Sequence, residues 1–158
     1  MCKVCWATVI VLLLITSGIV YKFIFQGDVI NLPDERAAIQ LNKNERALVL
    51  SEMRVFLESV QGITEGLASD DMDSVVKAAR QSGNSAQRAV PGSLVGKLPL
   101  GFKKLGFATH AKFDELALDA EQLGDGGHSL TQLSSLLENC VACHSAYKFE
   151  LEPLSLNN

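Results

Sequence analysis

Beyond its first 25 residues the sequence has no alternating run of Val, Ile and Thr and no Asn-Gly pair, so the marks of strands and hairpins are missing. A sheet-based fold is not expected, and the βαβ frame of a thioredoxin-like redox pair is lacking. Internal repeats and low-complexity tracts are absent too. So is a basic excess. With Lys3 and Lys22 set aside, residues 28–158 hold 12 basic and 18 acidic side chains, a net of −6, which excludes a generic nucleic-acid binder. No acid lies between Asp73 and Asp114, where the charges are Lys77, Arg80, Arg88, Lys97, Lys103, Lys104 and Lys112. From Asp114 onward eight acids face one base, Lys148. Such asymmetry either steers a charged protein partner or marks two solvated helix faces.

The chain does have one long hydrophobic run. Val4 to Tyr21 carries no charge, and the apolar character continues past Lys22 to Phe25. As a helix, these residues would extend roughly 33 Å, close to the ~30 Å hydrocarbon core of a bilayer. A cleaved signal peptide cut near Thr16-Ser17-Gly18 would leave Ile19 to Phe25 as an apolar, aromatic tail. An uncleaved anchor over residues 1–27 accounts for the whole run, with residues 28–158 as the second domain. Lys3 before the anchor, and Lys22 with Asp28, Asp34 and Glu35 after it, are compatible with an N-in orientation.

The remainder reads as all-α. A helix is expected from Pro33 to about Gln61, where Val49, Met53, Phe56, Val60 and Ile63 recur at steps of four and three. Ser69 or Asp70 caps a second, running through VVKAARQSGNSAQRAV. VPGSLVGKLPLG, with its prolines and glycines, reads as a loop long enough for a crossover. A third helix from about Leu100 shows Phe102, Leu105, Thr109, Phe113, Leu116, Ala120 and Leu123 on one face. Ser129 and Gln132 make a capping box for a fourth, which carries Leu130, Leu133, Leu136, Leu137, Cys140, His144 and Tyr147. The expected architecture is an antiparallel four-helix bundle behind one transmembrane helix.

Two cysteine pairs share the C-x-x-C spacing. Cys140-Val-Ala-Cys143-His144 is the attachment pattern of c-type haem. On a helix the two sulfurs project from one side and can add across the two vinyl groups of one porphyrin. His144 follows on the same sector as the proximal iron ligand. A zinc site would need a fourth ligand, and the sequence after the anchor has no second C-x-x-C and no H-x₃-H. The pair Cys2 and Cys5 is followed by Trp6, has no histidine, and falls at the membrane boundary.

A bundle whose last helix ends in C-x-x-C-H-x-x-Y-[RK], here Cys140, Cys143, His144, Tyr147 and Lys148, resembles the cytochrome c-prime family, the class II c-type cytochromes. The likeness covers roughly residues 34–150. It implies a periplasmic, often dimeric protein with one covalent haem c between the helices and its distal side facing the first. Arg46 followed by Leu50 matches the family's propionate-side Arg and its small apolar distal residue, which would leave the iron open to NO or CO. Met53, one turn further on, would instead be a sixth ligand, as in the low-spin members that transfer electrons. His110 departs from the family pattern and is another candidate sixth ligand. His128, in the glycine-rich turn, is expected to be solvent-exposed. Lys148, four residues after His144, would bring its charge near the imidazole and tune the iron.

The expected function is single-electron transfer between redox partner proteins on the periplasmic side of the inner membrane, from a single-pass anchor. The alternative is a five-coordinate haem protein that captures or senses NO or CO. An enzyme such as a peroxidase would need distal acid-base groups, and only His110 could serve.

Overall fold

The computed structural model describes residues 3–153, the side chains of residues 88 and 89 excepted. Cys2 and the last five residues of the second domain therefore lie outside the described residues. Helix α1 (Lys3–Val20) runs on through a π-helical end, Tyr21–Gln26. Together they form a 24-residue helix whose apolar window averages a hydropathy of 2.3 with none of it buried, long and apolar enough to cross a membrane. Its end is fastened to the rest of the chain. Gly27 adopts φ +66°, and a Cβ there would fall 2.7 Å from the Pro99 nitrogen and 2.8 Å from the Leu98 carbonyl carbon, so only glycine fits. The Asp28 N–H donates to the Lys97 carbonyl at 2.7 Å, and Lys103 Nζ donates to the Phe23 carbonyl at 2.8 Å.

A three-stranded sheet follows, contrary to the expectation of no strands. β1 (Val29–Asn31) pairs antiparallel with β2 (Ala37–Leu41), and β2 pairs in parallel with β3 (Tyr147–Leu151), from Ala37 opposite Tyr147 to Leu41 opposite Leu151. The central strand, AAIQL, does not alternate because Ala38, Ile39 and Leu41 are all fully buried. The first helix after the anchor correspondingly starts at Lys43 and not at Pro33. Asn42 caps it, accepting from the Glu45 N–H at 2.9 Å, while Glu45 accepts from the Asn42 N–H at 2.9 Å.

The helices are α2 (Lys43–Ala68), α3 (Met72–Gln81), α4 (Gly92–Lys97), α5 (Leu100–Leu123) and α6 (Gly126–Ala146), so the described chain is mostly helical. α3 is capped by Asp71, which accepts from the Ser74 N–H at 3.1 Å, and not by Ser69 or Asp70. It also stops nine residues early. The Asp114 carboxylate accepts from the Asn84 N–H at 2.9 Å and draws the chain over α5 as a 3₁₀ turn, Asn84–Ala89. The expected loop contains the short α4. At the start of α6 the cap is Asp125, accepting from the Gly127 N–H at 2.8 Å, while Ser129 is buried inside the helix instead of capping it.

α2 packs on α3, α3 on α5 and α5 on α6, whereas α2 and α6 barely touch. Ile63, Val75, Phe113, Leu116, Leu133 and Leu136 form the core where the helices converge. The expected stripe positions Leu123 and Leu130 remain outside it, 62% and 58% exposed. A second apolar cluster, Ile39, Leu41, Val49, Leu94 and Leu98, joins the sheet to α2 and α4.

Candidate functional site

The space that α2 and α6 leave between them is a cavity of about 790 Å³ with mostly apolar walls. α2 supplies Leu50, Met53 and Phe56, α4 supplies Leu94 and is followed by Leu98, α5 supplies Phe102 and His110, and α6 supplies Cys140, Cys143 and His144. Six of the sequence-derived candidates, Leu50, Met53, His110, Cys140, Cys143 and His144, thus line one cavity. Arg46 does not line it, because the wall of α2 begins at Val49, almost a turn later.

Lys148 does not line it either. The expectation that it sits one turn beyond His144 fails because α6 ends at Ala146, and Tyr147 and Lys148 belong to β3, where Lys148 pairs with Glu150 at 2.8 Å. Tyr147 takes a different part. Its ring meets Phe102 edge-on at 5.5 Å, and its hydroxyl fills the space beside Gly101, so it fixes the end of α6 against the start of α5. Phe56 and Phe102 were visible only as members of an apolar stripe, with nothing in the sequence to mark them as cavity walls.

His110 is 6% exposed. Its Nδ1 lies 2.8 Å from the Ser82 carbonyl oxygen, and its ring stands 4.8 Å from that of Phe56. A carbonyl can only accept, so Nδ1 carries the hydrogen, and in the neutral ring Nε2 carries the lone pair. His128 is exposed as expected, though it lies in the first turn of α6 and not in a loop, with Nε2 3.1 Å from Asp119.

Cys140 and Cys143 are free and half-buried, and His144 is exposed at the cavity's edge. Burial, followed by the neighbouring Cys140, pushes the Cys143 thiol up to about 11. Burial also raises Cys140, with its own backbone hydrogen bond and the Lys112 charge opposing. In the apolar wall, burial likewise raises the Glu52 carboxyl. Both thiols therefore stay protonated at neutral pH. A rise of two pH units from the ordinary 9.0 lowers the Cys143 thiolate fraction about 100-fold, of which the greater nucleophilicity of the more basic thiolate recovers about 10-fold. Exchange of Cys143 with a small disulfide at pH 8 should be about 10-fold slower in the folded, cofactor-free chain than in the denatured one. Peptide mapping with fragment sequencing, which separates Cys143 from Cys140 as well as from Cys2 and Cys5, makes the measurement, and equal rates would show that the thiol is not shielded.

Among the described residues no three or more His, Cys, Asp or Glu side chains converge closely enough to hold a metal ion. The zinc reading of Cys140 and Cys143 therefore lacks its ligand set. No protein-family model, curated protein or solved structure matches the chain.

Proposed function

We propose that this chain is a membrane-anchored class II c-type cytochrome that passes single electrons between redox partner proteins. One haem c would be bonded through Cys140 and Cys143, with His144 as the proximal ligand. The observation that carries the reading is that Cys140, Cys143 and His144 all line one large apolar cavity. When bound, the group supplies a one-electron iron couple.

The residues present suit that cargo. Two free thiols one helical turn apart can hold a porphyrin edge, and the imidazole follows on the same helix. Leu94, Leu98 and Phe102 line the cavity with apolar side chains. In this reading α2, α3, α5 and α6 are the antiparallel four-helix bundle of a periplasmic domain, residues 28–158. Residues 1–27 are its single-pass anchor in the inner membrane. Docking of the anchor's end at Gly27 and Lys103 holds the domain close to the bilayer, where diffusion to a partner is confined to a plane.

Leu50 on the cavity wall favours a second reading, in which the iron is open on one side and binds NO or CO. The absorption spectrum of the reduced protein with and without CO separates the two. Electron transfer predicts a low-spin spectrum that CO does not move. A high-spin spectrum converted by CO would replace this reading with gas binding.

A further inference from the structure

The geometry points to His110 as the second axial ligand of the iron, giving a bis-histidine centre whose distal ligand comes from α5 and not from α2. The inference rests on the haem reading above and specifies its distal side. His110 is more than nine-tenths buried, lines the same cavity as Cys140, Cys143 and His144, and has its Nδ1–H committed to the Ser82 carbonyl. Its Nε2 has no hydrogen-bond partner among the described residues. A buried imidazole with one nitrogen held by a backbone carbonyl and the other left with a free lone pair is the arrangement that metal-ligating histidines show, because the carbonyl fixes both tautomer and ring orientation. The same tautomer has no N–H to offer a bound diatomic gas, so His110 is suited to ligation and not to ligand stabilisation.

The competing side chains are engaged otherwise. Met53 packs against the cluster of Ile39, Leu41, Val49 and Leu98 that joins the sheet to α2. Leu50 has no donor atom. On α5 the neighbours of His110 are registered against α6, with Asn139 Nδ2 donating to Thr109 Oγ1 at 3.4 Å and Lys112 Nζ donating to the Ser135 carbonyl at 2.7 Å. His110 is thus held opposite the part of α6 that leads into Cys140. The Phe56 ring against it and the Ser82 carbonyl behind it leave the imidazole little freedom to turn away.

The test uses the full-length haem-loaded protein in detergent. Covalent haem is established first from the mass of the denatured chain, and its absence would defeat the haem reading itself. With haem attached, the ferric protein should give the low-spin paramagnetic-resonance spectrum of two imidazoles and no methionine-to-iron charge-transfer band. His110→Gln should convert it to a high-spin, CO-binding form, whereas Met53→Leu and His128→Gln should leave it low-spin. His110→Met should restore a low-spin iron at a higher midpoint potential. A methionine-to-iron band in the wild type, a high-spin wild type, or a His110→Gln protein that remains low-spin would each overturn the assignment. If His110→Gln does not fold, the wild type with His128→Gln decides. The chain has three histidines, so a two-imidazole spectrum that survives this substitution requires His110.

Discussion

Replacing Cys140 and Cys143 together with serine is expected to abolish covalent haem completely. In the denatured chain, haem-dependent peroxidase staining should vanish and the mass should equal that of the polypeptide alone. The two sulfurs stand one helical turn apart on the cavity wall, and the other cysteine among the described residues, Cys5, is in the exposed helix α1. His144 would hold the group only by coordination to iron, which denaturation breaks, whereas thioethers survive it. Each single serine variant should keep one thioether, and the vinyl group left on the porphyrin should shift the haemochrome maximum to longer wavelength. Haem that stays bonded to the double variant would show that the attachment site lies elsewhere.

The largest effect on stability is expected from Phe113→Ala. Phe113 is fully buried, and its ring stacks on Phe56 at 5.5 Å, which in turn meets His110. Truncating a buried phenylalanine costs about 3–5 kcal/mol, from lost transfer energy and from the cavity left behind. Net stabilities of about 5–15 kcal/mol make that a large share. The loss should also reach the site, since Phe56 and His110 would lose the support behind them. Leu130→Ala, at an exposed position of α6 outside that core, should cost less than about 0.5 kcal/mol. Denaturant titration of both variants gives the comparison, and a Phe113→Ala loss below about 1 kcal/mol would mean that the helices do not converge there.

The helical parts were legible because their cause is periodic. Val49, Phe56 and Ile63 repeat at the helical step, and Thr109, Phe113, Leu116 and Ala120 are buried as their spacing predicts. Cys140, Cys143 and His144 stood out because their spacing is the one that haem attachment would require, and the structure brings all three to one cavity. The sheet was not legible. Ala38, Ile39 and Leu41 are covered from both sides, so β2 lacks alternation, and YKFEL continues a helix without a break that sequence could mark. That single misreading placed Lys148 beside His144. Caps were misassigned within a few residues where Asp125 and Ser129, or Asp71 and Asp70, all have side chains able to accept. The role of Ser82 was invisible in principle, since it is the backbone carbonyl that holds His110.

The pairing of β2 with β3 also sets an order of assembly. β2 leaves the ribosome well before its parallel partner, which begins at Tyr147, 110 positions later. Closing a loop of that length waits until β3 has been made, and non-local pairing of this kind is slow. Until β3 arrives, nothing clamps the last turn of α6, and Cys140, Cys143 and His144 stand on a helix end that is still free to fray. An attachment enzyme that must reach both thiols would find them accessible in that interval and shielded after it, so maturation and folding of this chain would compete in time.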